Sequence, residues 1–248
     1  MIMIMGSQHD DILYFESVMS NKKEEVVLGK FKVTIGTIFN QAVLLVDQVK
    51  TNYLSSALTL YLVEKYFVIL VLVVGRCISV SPDIKPLEIV ISKNIVAGDV
   101  DQVNEDNVKM GQIPGFEQVF ECSKDVVEYL FNAFEKRTFC TYKAANYVST
   151  SVDYHNANQI SGLREFDHIL GFENSVVFDC NSAGAAMAAS ISKVPFAAIK
   201  VVERRIEDKN NIDTYLNALK LYVDIGKALV TCIGDIGRNE VITEDRGE

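Results

Sequence analysis

The stretch Thr51-Asn52-Tyr53-Leu54-Ser55-Ser56-Ala57-Leu58-Thr59-Leu60-Tyr61-Leu62-Val63-Glu64-Lys65-Tyr66-Phe67-Val68-Ile69-Leu70-Val71-Leu72-Val73-Val74-Gly75-Arg76 carries two structural periods in succession. Over 51–65 apolar residues recur at intervals of three and four, the spacing of an amphipathic helix. The run 66–74 is continuously apolar and is closed by Gly75 and Arg76. It is less than half the roughly 20 residues that a helical membrane span requires, so it reads as a buried strand. A helix feeding a buried strand is the repeating unit of an α/β layer fold.

The same alternation extends in both directions. Strand-like runs rich in β-branched residues occur at 2–5, 25–34, 41–46, 67–74, 89–92, 145–150, 176–179 and 196–202. Helical spacing is expected over 51–65, 122–136, 159–170, 181–193 and 212–233. Between residues 25 and 46 the extended segments are joined only by Gly29-Lys30 and Phe39-Asn40-Gln41, so that part of the sheet is expected to be an antiparallel meander. After Ser92 the chain turns polar (Asp99, Asp101, Asn104, Glu105, Asp106) and closes on Gly111-Gln112-Ile113-Pro114-Gly115, a long loop of the kind that covers a site or an interface. The expected organisation is one domain over 1–238 and an acidic tail over 239–248.

Composition excludes several classes. Of the 248 residues 49% are hydrophobic, and 33 Asp plus Glu exceed 24 Lys plus Arg, a formal charge of −9 with no basic run to follow phosphates. No nucleic-acid partner and no membrane are expected. Met1-Ile2-Met3-Ile4-Met5 has no basic flank and meets Gly6 and then His9-Asp10-Asp11, so it reads as a first core strand and the expected compartment is cytoplasmic. Cys77, Cys122, Cys140, Cys180 and Cys232 are odd in number, without a CxxC pair, and His9, His155 and His168 form no ligand pair; reduced thiols and no metal are expected. The small residues Ser182-Ala183-Gly184-Ala185-Ala186 permit close approach of a neighbouring element. In the last helix Leu216, Leu219, Tyr222, Ile225 and Leu229 read as a packing face.

The order of motifs resembles the nucleoside phosphorylase superfamily and, within it, the 5′-methylthioadenosine/S-adenosylhomocysteine nucleosidases. The residues that carry the resemblance span nearly the whole chain: the first strand ending in Gly6, Ile84-Lys85-Pro86-Leu87-Glu88-Ile89-Val90-Ile91-Ser92, Asp99-Val100-Asp101, Gly111-Gln112-Ile113-Pro114-Gly115, and Val194-Pro195-Phe196 with Ile199-Lys200. The resemblance implies a three-layer sandwich in one domain, with a twisted mixed sheet between helices. It also implies a purine nucleoside ligand, a homodimer with the loop around Gln112 against the neighbour's site, and no cofactor. Members hydrolyse an N-glycosidic bond, which needs an acid for the departing purine and carboxylates for the water and the ribose.

Those roles fall on altered residues. The family's purine-protonating Asp corresponds to Arg204, preceded by Glu203. An arginine stays protonated and cannot shuttle a proton. The second Glu of the family's "EME" signature, which binds ribose, corresponds to Asn181, behind Asp179 and Cys180. Its water-activating acid corresponds to Asp11. In the glycine-rich turn Val74-Gly75-Arg76-Cys77-Ile78-Ser79 a small residue is replaced by Arg76. Near Ser151 the purine-stacking aromatic corresponds to Asp153, with Tyr154 adjacent. The expectation is a nucleosidase-like protein of weak or no activity, a pseudoenzyme, for which a heteromer with an active paralogue is a conceivable assembly. The alternative is a divergent active nucleosidase or phosphorylase using Asp11, Asp179 and Glu203 or Asp208, with Arg76 and Arg204 on an anionic substrate group.

Overall fold

The computed structural model describes residues 1–100, 108–137, 140–151, 175–208 and 212–239. Ten strands and five α-helices are present among them: β1 (Ile2–Gly6), α1 (Leu13–Val18), β2 (Ser20–Val27), β3 (Phe31–Ile38), β4 (Gln41–Val46), α2 (Asn52–Tyr66), β5 (Leu70–Ser79), β6 (Ile89–Ala97), β7 (Phe120–Glu121), α3 (Lys124–Arg137), β8 (Tyr142–Ser149), β9 (Val176–Asp179), α4 (Ser182–Ile191), β10 (Phe196–Arg205) and α5 (Ile212–Asn239). They form one mixed sheet in the order β10-β6-β8-β9-β5-β1-β4-β3-β2, with β7 on β6. A further pairing of β10 with β5 closes one end of the sheet upon itself.

Period-2 alternation explains the three layers. Met3, Met5, Val71 and Val73 point to one face, where they pack with Leu58 and Leu62 of α2 and Ala183, Ala185, Ala186 and Ala189 of α4. Ile2, Ile4, Leu70 and Leu72 point to the other, against Phe15 of α1, Leu130 and Phe134 of α3 and Ile225, Leu229 and Ile233 of α5. Both faces of β1 and of the first half of β5 are thus covered, which is why their sequences are continuously apolar. The expected meander is present: β2, β3 and β4 pair antiparallel in succession.

Some boundaries differ from the sequence reading, each for a local reason. The Thr51 side chain accepts from the Leu54 N–H at 3.2 Å and caps α2; Phe67, at φ +52°, ends it, so the expected strand at 67 begins at Leu70 instead. β5 runs through Gly75 to Ser79, and the glycine-rich turn of the resemblance is strand here. β2 begins at Ser20, because Lys23, Glu24 and Glu25 lie on the exposed outer strand of the sheet, where no apolar alternation is required. The expected helix at 159–170 and the tail beyond 239 lie outside the described residues, and α5 runs on to Asn239. The small residues of α4 serve helix packing: a Cβ on Gly184 would lie 1.9 Å from the Asn52 carbonyl oxygen.

Candidate functional site

β1, β5 and β10 run parallel, so their carboxyl ends present Asp11, Arg76, Glu203 and Arg204 at one edge, the usual location of ligands in such sheets. Asp11 follows β1 in a short 3-10 turn and is buried. Its Oδ2 accepts from Ser7 Oγ and from the Gln8 N–H, both at 2.8 Å. Gly75 lies behind it at φ +141°, where a Cβ would approach Asp11 Oδ2 to 2.9 Å, so this position of β5 requires glycine.

Arg76 and Glu203 project from β5 and β10 on the same side and form an ion pair, Nη1 to Oε2 3.5 Å, with side chains 16% and 29% exposed. Pairing between these strands is irregular at Glu203: Val202 faces Cys77 and Arg204 faces Ile78, leaving the glutamate as a bulge residue. α5 adds Tyr222, whose hydroxyl is buried. Burial, then the negative charge of Asp11, holds its proton well beyond the ordinary phenol range, with the Arg76 guanidinium opposing.

On the other face the Lys200 side chain is completely buried. Its ammonium donates to Asn181 Oδ1 at 2.8 Å and Val74 O at 3.4 Å, and lies 3.2 Å from Asp179 Oδ2. Ser182 Oγ donates to the same Asp179 oxygen, and Asn181 Nδ2 donates to Val49 O at 2.8 Å. Asp179 and Asn181 are therefore joined through one cation. Cys77 lies nearby, its thiol pushed well up by burial and by the Asp179 charge, against Lys200. Cys180, between Asp179 and Asn181, is partly exposed.

The Arg204 guanidinium is folded onto its own chain. Nη1 donates to the carbonyls of Arg205, Ile206 and Asp208 at 3.3, 3.5 and 3.3 Å, and the residue is 6% exposed. Ser151 belongs to a separate polar array: its N–H donates to Asp99 Oδ2 at 2.8 Å, and its hydroxyl accepts from the Asn52 N–H at 3.1 Å. Asn52 Oδ1 in turn accepts from Ser149 Oγ and the Gly184 N–H. Gln112 stitches its loop, accepting from the Lys109 N–H at 3.0 Å and donating to Phe116 O at 2.9 Å. Asp153 and Tyr154 lie outside the described residues. Among those described, no three His, Cys, Asp or Glu side chains group as a metal site, and no helix is long and apolar enough to cross a membrane.

The structure thus brings Asp11, Arg76 and Glu203 together on one face, and Asp179 and Asn181 on the other. Sequence reasoning missed Lys200, although a lysine inside the apolar strand 196–202 is a signal that a buried partner exists. It took Tyr222 as packing alone, and its hydroxyl leaves no trace in the helical period.

The phosphorylase superfamily model matches residues 2–231. The fold superposes on the 5′-methylthioadenosine/S-adenosylhomocysteine nucleosidase of Neisseria meningitidis in complex with methylthio-immucillin-A at a TM-score of 0.85, with 17% identity over 94% of this chain and 98% of that one. The S-adenosylhomocysteine nucleosidase of Streptococcus pyogenes in complex with 5-methylthiotubericidin gives 0.82, with 16% identity over 95% and 96%. The nucleosidase of S. pneumoniae with the transition-state inhibitor MT-ImmA gives 0.80, with 19% identity over 94% and 98%. No curated protein matches the chain by sequence. At these identities the likeness to the solved structures is one of fold, while the match over 2–231 is one of family. The chain belongs to the phosphorylase superfamily.

Proposed function

We propose that the protein binds a purine nucleoside of the 5′-methylthioadenosine type and hydrolyses it weakly or not at all. The observation that carries this reading is the state of Arg204. At the position where the resemblance calls for a purine-protonating acid stands a permanently charged guanidinium that donates to three main-chain carbonyls. The adjacent carboxylate, Glu203, is paired with Arg76. Asn181, in place of a ribose-binding carboxylate, is neutral and accepts from Lys200. Loss of one acid or one electrostatic group removes about 10²- to 10⁴-fold in rate. These losses fall within one unit and do not simply multiply.

Arg76 and Arg204 each have protein partners, which weighs against their serving an anionic substrate group. In favour of a divergent active enzyme stands Asp11, a buried carboxylate with one oxygen lacking a hydrogen-bond partner. Adenine release from methylthioadenosine, S-adenosylhomocysteine and adenosine, with and without phosphate, separates the two readings. Calorimetric uptake of nucleoside without release supports the binder. Turnover at ordinary enzyme rates overturns it, and loss of that turnover in Asp11→Asn assigns the chemistry. The same reading includes a cytoplasmic homodimer, or a heteromer with an active paralogue, which sedimentation and co-purification test.

A further inference from the structure

His9 stands in the short turn after β1 that also carries Asp11, and both nitrogens of its ring face a carboxylate. Nδ1 lies 2.7 Å from Asp47 Oδ2, just beyond the end of β4, and Nε2 lies 3.7 Å from Glu16 Oε2 on α1. The first separation is that of a hydrogen bond and the second that of an ion pair. An ionised carboxylate only accepts, whereas a neutral imidazole carries one N–H and one bare nitrogen. The neutral ring therefore serves one of these partners and turns a lone pair toward the other. The imidazolium, with a proton on each nitrogen, serves both.

The neighbouring groups leave this role to His9. Glu16 is held in place by Thr34 of β3, whose hydroxyl donates to Glu16 Oε1 at 3.3 Å. Glu16 and Asp47 are 22% and 18% exposed, against 49% for His9, so the ring closes over them from the solvent side. The nearby lysines are engaged elsewhere. Lys22 Nζ donates to the Glu16 main-chain carbonyl at 3.1 Å, and Lys32, two residues before Thr34 on the same face of β3, pairs with Glu24 at 2.6 Å. Within the turn Asp10 adjoins His9, and Asp11 Oδ2 is occupied by Ser7 Oγ and the Gln8 N–H. α5, which also packs on the turn, brings the Tyr222 phenol, and burial keeps that group neutral.

We infer that His9 is a pH-sensitive clasp: as an imidazolium it ties the turn that carries Asp11 to β4 and to α1, and on losing its proton it releases α1. Imidazole is the side chain whose charge changes between about pH 5 and 8, and carboxylates as a class titrate below that range, so the ring sets the state of the clasp. The closed arrangement favours the protonated ring. Its contribution is therefore full in mild acid and is lost as the pH rises. Because Asp11 sits in the same turn, the firmness with which its carboxylate is held at the end of β1 changes with pH. The clasp needs no ligand and does not depend on the nucleoside-binding reading.

The test is amide hydrogen exchange in the full chain at about pH 5.5 and about pH 8, on either side of the imidazole range, with rates corrected for the intrinsic effect of pH. The reporters are the Asp11 and Ile12 amides, which donate to Gln8 O at 3.3 Å and His9 O at 3.0 Å; amides of α4 serve as the reference for global stability. The expected result is about a fivefold loss of protection at the turn from the lower pH to the higher, with α4 unchanged. In His9→Gln, whose amide does not titrate, protection is equal at the two pH values. Glu16→Gln, which keeps the bond to Asp47, reduces the change seen in the parent. Equal protection at both pH values in the parent, or a pH dependence that survives in His9→Gln, overturns the clasp. If His9→Gln does not fold, Glu16→Gln decides, and an unaltered pH dependence there overturns it as well.

Discussion

Lys200→Met removes the one cation that joins Asp179 to Asn181. The ammonium lies 3.2 Å from Asp179 Oδ2, and both side chains are 0% exposed. At an effective dielectric constant of about 20 the Coulomb attraction at that distance is about 5 kcal/mol. The methionine also forfeits the hydrogen bonds to Asn181 and Val74, while its unbranched apolar chain fills most of the same volume. Removing one member of a buried pair strands the other, and the expected loss of stability is about 3–5 kcal/mol. For a chain of this length, with a urea slope of about 3 kcal/mol/M, the midpoint falls by about 1 M or more. Far-UV circular dichroism in urea at pH 7 reads this directly. Asp179→Asn in the Lys200→Met background relieves the stranded charge, so the double variant loses at least about 2 kcal/mol less than the sum of the single losses. A Lys200→Met variant within about 1 kcal/mol of the parent, or strict additivity in the cycle, refutes the view that the pair is a coupled unit.

Gly184→Ala places a methyl 1.9 Å from the Asn52 carbonyl oxygen and 2.4 Å from Ser55 Oγ; despite alanine's better helix propensity, a loss of about 1–3 kcal/mol is expected in the same denaturation assay. Burial pushes the Cys122 thiol and the Cys232 thiol each up to about 12. Because the thiolate is the reactive form, neither is alkylated by iodoacetamide at pH 8 in the native protein, and labelling followed by mass spectrometry finds modification only at the partly exposed Cys140 and Cys180. Gln112→Ala removes both stitches of the 109–116 loop; amide exchange should quicken there by about tenfold while the global urea midpoint stays within error.

How far the sequence disclosed this molecule depends on which force sets each feature. The helix and strand over 51–79 were legible because burial on both faces of β5 imposes an unbroken apolar run, and the meander was legible because Gly29 and Asn40 punctuate it. α1 and the polar half of β2 were not, since the first is only six residues long and the second is held by its pairing with β3 rather than by apolar side chains. At the site, the candidate residues could be located by their neighbours in the chain, but not their partners. That Arg76 would meet Glu203 follows from an irregularity in strand pairing at Val202 and Arg204, and no local pattern encodes a register shift. That α5 packs against the turn carrying Asp11 depends on where a long helix crosses the sheet, a tertiary fact.

The pairing of β10 with both β5 and β6 makes a ring of β10, β6, β8, β9 and β5. A ring resists shear in a way that an open sheet does not, since sliding one strand demands that all five break register together. Glu203, Arg76 and Asp179 ride on three of its members, so their spacing is set by the hoop and not by the helices around it. Adaptation to a guest must then come from loops at the rim.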